Sequence, residues 1–250
     1  MLKLNDVTIR FGGLTAVDRL SMDVEKNSIT ALIGPNGAGK TTAFNIISGV
    51  YAPMEGTIEF MGRNISGLKP YQINEIGIAR TYQNIRLFRE MTVLENVLIG
   101  QHTKRTCGVL RNLARTPKQK KEESEMLEKA MSVLELIGLS DKANEISKNL
   151  PYGKQKKLEI GRALASDPSV LLLDEPVAGM NTTEKVDVMN LILKIRDLGR
   201  TIVLVEHDMK IVMGMANTIY VMNYGKRIAA GEPEKIRKDP IVIEAYLGGE

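Results

Sequence analysis

The sequence predicts an α/β fold with a mainly parallel sheet, an antiparallel β subdomain and an inserted helical subdomain. Three short apolar runs predict the parallel strands, because a strand that is buried on both faces does not alternate apolar with polar residues. These runs cover residues 29–33, 170–173 and 201–205. The first run is followed by a glycine-rich loop and then by a helical pattern, which is the order of a parallel α/β unit.

The antiparallel subdomain is predicted from alternation near the beginning of the sequence. Residues 1 to about 30 and residues 56–62 alternate in the manner of strands. The pairs Gly12-Gly13 and Glu55-Gly56 are turn signals that bound these strands. We expect this sheet to lie beside the bound ligand of the glycine-rich loop.

The helical subdomain is predicted from a second kind of periodicity. Between residues 126 and 137, apolar side chains recur at three- and four-residue steps, which indicates an amphipathic helix that Gly138 ends. We therefore expect a single domain over residues 1–250, with a mainly helical insertion at 88–165.

The glycine-rich loop indicates a site for nucleotide phosphates. Its glycines allow successive backbone N–H groups to turn toward an anion, and the following helix adds its positive N-terminal end. Lys40 would reach the β- and γ-phosphates, Thr41 would ligate Mg²⁺, and Thr42 would donate toward the inner phosphates. The residues assigned to nucleotide binding are Gly34, Pro35, Asn36, Gly37, Ala38, Gly39, Lys40, Thr41 and Thr42. A tight turn that is merely rich in glycine is the alternative, and the Lys-Thr pair behind a strand argues against it.

Acidic residues and a histidine follow the other two apolar runs. Asp174 would hold Mg²⁺ through water, and Glu175 would orient and polarise the attacking water. His207 should lie beside Glu175, because the carboxyl ends of parallel strands meet at one edge of the sheet. There it would contact the γ-phosphate, the alternative being a structural histidine.

A glutamine between these segments carries a family resemblance. With Arg80-Thr81-Tyr82-Gln83 placed between the glycine-rich loop and the acidic strand, the chain resembles the nucleotide-binding subunits of ABC transporters over essentially its whole length. The resemblance implies a P-loop NTPase core that binds ATP and Mg²⁺. It also implies that Gln83 contacts Mg²⁺ and the lytic water, and that Phe11 stacks on adenine. A core phenylalanine at the end of a short strand is the alternative for Phe11.

The segment that corresponds to the family signature departs from its common form. Residues 150–155 fall where Leu-Ser-Gly-Gly-Gln belongs, and residues 178–181 fall at the D-loop. In the family, the signature opens a helix that points at the ATP of the opposite subunit. Pro151 has neither hydroxyl nor N–H, Tyr152 replaces the first glycine, and only Gly153 remains of the pair, so fewer donors should reach that ATP. The alternative is that Tyr152 turns aside and the helix dipole suffices.

Four segments narrow the resemblance to the ATPase subunits of high-affinity branched-chain amino acid importers. They are residues 11–18, 86–97, 150–153 and 245–248. This implies transmembrane permease subunits as partners, indirect contact with a solute-binding protein, and a peripheral location on the cytoplasmic face of the membrane. The weakened signature favours a heterodimer with a second ATPase subunit. Importers of urea or amides use similar subunits, so the solute stays open.

Two classes of protein compete with this interpretation. An ABC ATPase without a transport role, acting on nucleic acid or ribosomes, would typically have two such domains or a dedicated insertion, and neither is evident. A P-loop GTPase or kinase is disfavoured because no Asn-Lys-x-Asp segment occurs and the signature would go unexplained. We therefore expect no nucleic-acid partner.

Composition agrees with an intracellular globular chain. The 250 residues are 43% hydrophobic, and neither an apolar run of membrane-spanning length nor a secretion signal is visible. Cys107 is the only cysteine, so no internal disulfide can form. The net charge of +4 does not by itself indicate nucleic acid. Residues 104–121 contain basic but no acidic side chains, which indicates either a solvated helix face or a contact with anionic lipid or a partner.

Overall fold

The structure is a computed structural model that describes residues 1–102 and 117–247. Its strands are β1 (Leu2–Phe11), β2 (Leu14–Val24), β3 (Ile29–Ile33), β4 (Glu55–Phe60), β5 (Arg63–Asn64), β6 (Ile78–Arg80), β7 (Val170–Asp174), β8 (Thr201–Val205), β9 (Thr218–Asn223) and β10 (Lys226–Gly231). Its helices are α1 (Lys40–Ile47), α2 (Pro70–Glu75), α3 (Val93–Gly100), α4 (Pro117–Leu136), α5 (Tyr152–Leu164), α6 (Thr182–Asp197), α7 (Met209–Met215), α8 (Pro233–Ile236) and α9 (Pro240–Leu247).

The larger sheet carries the parallel core. Its strand order is β10-β9-β3-β8-β7-β6, and every neighbouring pair is parallel except β9 with β10. All residues of β3, β7 and β8 are buried, as their unbroken apolar runs predicted. Because these three strands are adjacent and parallel, the loops that follow them meet at one edge of the sheet.

The smaller sheet is antiparallel, as the alternation near the beginning of the chain predicted. Its order is β2-β1-β4-β5. Its inward side chains, among them Leu4, Leu20 and Ile58, share one hydrophobic cluster with Phe44 of α1. The small sheet thus packs next to the helix that follows the glycine-rich loop.

Helices α3, α4 and α5 lie between β6 and β7 in the chain. Val97, Ala130, Leu134 and Leu158 pack from these helices into a second cluster, and Gly138, with φ 70°, follows α4 where a helix end was predicted. Leu127, one of the apolar residues at the three- and four-residue spacing, is 45% exposed and therefore does not join this cluster. The domain bounds 1–250 and 88–165 stay predictions.

Three other features considered from the sequence are membrane-spanning helices, the basic segment 104–121 and Cys107. Within the described ranges, no helix has both the length and the apolar character needed to cross a bilayer. The basic segment 104–121 lies largely outside the described residues, as does Cys107.

Candidate functional site

The glycine-rich loop connects β3 to α1 and has the backbone that its glycines permit. Gly34, Gly37 and Gly39 have φ values of 149°, 78° and 100°. A Cβ on Gly34 would collide with the Met222 carbonyl oxygen, whereas one on Gly37 would meet no atom within 4 Å. Gly37 is therefore required by backbone conformation, while the space over it is open to a ligand. Gly39 is the N-cap of α1, so the free N–H groups of the first helical turn open onto this loop.

Lys40 lies inside this loop. Its Nζ donates to the carbonyl oxygens of Gly34, at 2.7 Å, and Pro35, at 2.9 Å. Burial lowers the pKa of the Lys40 ammonium, and the carboxylates of Glu175 and Asp174 oppose that shift. Since an ammonium has three donors, one remains available to a phosphate oxygen.

Asp174 ends β7 and is fixed by a buried cation. It is 2% exposed, and its Oδ2 lies 2.9 Å from a guanidinium nitrogen of Arg80. The other terminal nitrogen of Arg80 donates to Asn45 Oδ1 and Ser48 Oγ of α1, at 2.7 and 2.9 Å. No role was predicted for Arg80, although a cation at the end of a buried strand beside an acidic strand indicates such an ion pair.

The donors around Asp174 fit a magnesium ion that is held mainly by nucleotide. Thr41, in the first turn of α1, is exposed toward solvent, and Asp174 has a second oxygen beyond the one that Arg80 engages. In the described part of the chain, no group of three or more His, Cys, Asp and Glu side chains could form a metal cage. Magnesium is typically held by one or two protein oxygens plus phosphates and water, which is the set that these residues could complete.

Glu175, Gln83 and His207 come together at the edge of the sheet. The Gln83 side-chain amide donates to Glu175 Oε2 at 3.1 Å, and His207 Nδ1 lies 3.8 Å from Glu175 Oε1. Glu175 has φ 47°, an unfavourable conformation for a residue with a side chain, and its N–H donates to the Val205 carbonyl. The His207 side chain is 61% exposed, so it can reach a ligand. The proximity of His207 to Glu175 agrees with the expectation from the parallel strands, whereas Gln83 was assigned to this site only through the family resemblance. The chemical roles of all three residues stay predictions.

Phe11 is a surface residue at the end of β1. It is 44% exposed and meets Tyr51 edge to face, with ring centroids 5.1 Å apart. This exposure does not support the alternative of a core phenylalanine. A half-exposed pair of aromatic rings offers a flat surface to a base.

The first turn of α5 contains the altered signature. Pro151 is its N-cap and offers no side-chain hydrogen bond, and Gly153 is buried against α6, where a Cβ would lie 2.6 Å from Glu184 Oε1. The Tyr152 ring lies beside Gly179, since a Cβ on that glycine would sit 3.5 Å from its Cε1. The Tyr152 ring thus turns aside toward the D-loop, while Pro151 still leaves the first turn of α5 without a side-chain cap.

A buried ion pair that was not predicted from the sequence connects α5 to the Gln83 segment. Lys156 Nζ donates to the carbonyl oxygens of Tyr82 and Gln83, at 3.1 and 2.8 Å, and lies 3.6 Å from Glu159 Oε2. Glu159 Oε1 accepts the Arg86 N–H at 3.2 Å. Lys156 and Glu159 are 2% and 1% exposed. Because Lys156 and Glu159 are three residues apart on one helix, their spacing could have indicated the ion pair between them.

The parallel sheet, the phosphate loop and the acidic edge define a nucleotide-binding ATPase of the cassette type. Comparison with known families agrees, since residues 17–178 match the family model described as ABC transporter. The chain belongs to this family and is an ATP-hydrolysing subunit of an ABC transporter, which confirms the predicted family, fold and activity. Residues 226–250 also match the model described as branched-chain amino acid ATP-binding cassette transporter.

Two relatives and one solved structure show which members of the family this chain is similar to. The high-affinity branched-chain amino acid transport ATP-binding protein LivG of Salmonella typhimurium is 47% identical over 249 residues, which cover 99% of this chain and 98% of LivG. BraF of Pseudomonas aeruginosa, described in the same words, is 45% identical over 99% of this chain and 98% of its own length. A crystal structure of the ADP conformation of an ATP-binding cassette of an ABC transporter superposes with a TM-score of 0.87, at 36% identity, over 100% of this chain and 99% of the other.

Proposed function

We propose that this chain powers an importer of branched-chain amino acids, with ATP bound between Phe11, the loop 34–42 and the acidic edge. The observation that carries the hydrolytic part is the Glu175 carboxylate, which is bonded to Gln83 and lies next to His207. The proposal of solute rests on the 47% identity with LivG over nearly the whole chain.

In the proposed reaction, the loop and Lys40 hold the phosphates while Glu175 acts on water. Glu175 accepts a proton as the water oxygen attacks the γ-phosphorus, and the bond from that phosphorus to the bridging oxygen of ADP breaks. Gln83 orients the water, and His207 contacts the γ-phosphate. When bound, Mg²⁺ would neutralise charge on the β- and γ-phosphates, and Thr41, Asp174 and Gln83 are the residues that would hold it.

Coupling to transport is proposed to run through Gln83 and α5. Lys156 of α5 donates a hydrogen bond to the backbone carbonyl of Gln83, and the side-chain amide of Gln83 donates to Glu175. A shift of that amide, which would bind the water, is therefore transmitted directly to α5, the signature helix. We propose that residues 88–165 move as the helical subdomain. Beyond Gln83, the side chains of Phe88 and Met91 are 46% and 37% exposed, which supports this surface as the contact with transmembrane permease subunits.

The proposed assembly is a head-to-tail pair of ATPase subunits on the cytoplasmic face of the membrane, below the permease and indirectly linked to a solute-binding protein. Each ATP would lie between one P-loop and the other subunit's signature helix. Because Pro151 provides no hydroxyl cap to α5, we propose that the second ATPase is a different chain with a fuller signature. No role for nucleic acid is proposed.

The experiment is reconstitution of the purified complex in vesicles with entrapped ATP. Uptake of radiolabelled leucine, isoleucine and valine is compared with uptake of urea and short amides, and Glu175→Gln in this chain is the inactive control. We expect ATP-dependent uptake of the amino acids only. Uptake of urea or amides alone would replace the proposed solute, and ATP hydrolysis without uptake of any of them would overturn the transport role.

A further inference from the structure

Glu206 is a fully buried carboxylate that the proposed reaction does not use. It follows β8 directly, precedes His207 in the chain, and is 0% exposed. A carboxylate in such a place is costly unless several donors reach it, so its partners indicate why it is there.

The partners of Glu206 are backbone N–H groups from two different turns. Its Oε1 accepts the N–H of Val177 at 3.3 Å, two residues after Glu175. Its Oε2 accepts the N–H of His207 at 3.1 Å and, at the limit of a hydrogen bond, that of Asp208 at 3.5 Å. One side chain therefore bridges the turn after β7 and the turn after β8.

Both turns need such a support. Glu175 has φ 47°, a conformation that persists only where the surroundings hold it. The His207 side chain is mostly exposed, and its Nδ1 lies 3.9 Å from Glu206 Oε2, about as far as from Glu175 Oε1. The position of the imidazole thus depends mainly on its backbone, which Glu206 bonds directly.

We propose that Glu206 is a positioning residue for hydrolysis, whose two carboxylate oxygens hold the turns of Glu175 and His207 at a fixed separation. This inference rests on the proposed roles of those two residues. A carboxylate suits the task because each of its oxygens accepts hydrogen bonds, whereas an amide has one acceptor and would turn its NH2 group toward a backbone N–H.

The test compares Glu206→Gln with Ile236→Val, a buried substitution in α8 that is remote from the site residues in the chain and serves as the control for lost stability. In the reconstituted complex, kcat and KM for ATP are measured. In the full chain, ATP affinity is measured, and imidazole ¹⁵N NMR reports the two histidines, His102 and His207, which His102→Gln assigns.

For Glu206→Gln we expect kcat to fall about 10- to 100-fold, because a displacement of about 1 Å can cost on the order of 10²-fold. ATP affinity should stay within about twofold of the original chain, since the loop 34–42 is untouched. The His207 signals should shift while those of His102 stay in place, and Ile236→Val should change neither kcat nor either histidine.

The inference stands only if the loss of kcat and the shift of His207 occur together without a matching loss of ATP affinity. Any other result overturns it, including a kcat loss that Ile236→Val reproduces. If Glu206→Gln remains active while Glu175→Gln and His207→Ala are inactive, the inference alone fails. If all three remain active, the proposed function fails with it.

Discussion

The side-chain amide of Gln83 donates a 3.1 Å hydrogen bond to Glu175, and the Gln83 carbonyl accepts a 2.8 Å hydrogen bond from Lys156. One residue therefore touches both the proposed catalytic base and the signature helix. A change at the γ-phosphate that moves Gln83 must act on α5 or break a buried charged hydrogen bond, and the latter is costly. Gln83 therefore provides a physical path for the proposed coupling between the ATP site and α5.

Lys40→Ala should abolish ATP binding. The substitution removes the ammonium that lies within the phosphate loop and leaves the backbone of the loop in place. Binding of a fluorescent ATP analogue by the isolated chain is the measurement, and Lys194→Ala, an exposed lysine on α6, is the matched control. Wild-type affinity in Lys40→Ala would rule out the assignment of loop 34–42 to phosphate.

Phe11→Ala should weaken ATP binding modestly, by roughly 2- to 10-fold, since an aromatic stack contributes about 0.5–1.5 kcal/mol beyond burial. Phe11→Tyr should retain affinity because it keeps the ring. The affinity of Phe11→Ala for GTP should fall by a similar factor, because an aromatic ring contacts the face of a base and not the edges that distinguish adenine from guanine. Tyr71→Ala, an exposed aromatic on α2, controls for general loss of surface rings. Equal affinity of Phe11→Ala and wild type would remove Phe11 from the site.

Much of this site could be predicted from the sequence because most of its residues belong to short, recognisable motifs. The loop 34–42, Asp174 and Glu175 each follow an unbroken apolar run, and parallel strands place such residues at one edge. The buried charges at Arg80, Lys156 and Glu206 could not be predicted in the same way. Each of them has a partner far away in the chain, at 94, 73 and 29 positions respectively, and for Lys156 and Glu206 that distant partner is a backbone atom, which has no sequence signature.

The orientation of the Tyr152 side chain is a second feature that could not be predicted from the sequence. The sequence identifies an aromatic residue where a glycine is expected, but the space beside Gly179 that receives the ring exists only once α5 and the D-loop are packed together. The fold class, in contrast, could be predicted, because the alternation of apolar and polar residues, or an unbroken apolar run, is a local property of each strand.

Glu159 should make the stability of the chain depend on pH. Burial raises the pKa of the Glu159 carboxyl above its ordinary 4.5, and Lys156 opposes the shift. The folded chain therefore binds this proton more tightly than the unfolded chain, so the contribution is fully present below pH 4.5 and is lost as pH rises through the folded pKa. Urea unfolding from pH 4.5 upward should show the free energy of unfolding falling more in wild type than in Glu159→Gln.

The matched control is Glu135→Gln, an exposed carboxylate on α4. It should leave the pH dependence unchanged. A constant difference between wild type and Glu159→Gln over the whole range would contradict the raised pKa.

The two ATP sites of the assembled complex should differ in activity. In the proposed heterodimer, the site on this chain would face the partner's signature, whereas the partner's ATP would face the N-terminus of α5, where Pro151 provides no side-chain hydrogen bond. A missing transition-state donor typically costs about 10²–10³ in rate. Inactivating the base of this chain should therefore remove most hydrolysis, and the matching substitution in the partner should remove little. Equal losses, or a fully active homodimer of this chain, would contradict the asymmetry.

The most direct test of the account is the effect of Glu175→Gln on ATP in the reconstituted complex. The substitution keeps the shape of the side chain and removes its basicity, so ATP should still bind, hydrolysis should fall by about two to four powers of ten, and the ATP-bound closed form should accumulate. Glu135→Gln should hydrolyse ATP at the wild-type rate. Normal turnover by Glu175→Gln would show that this carboxylate is not the base.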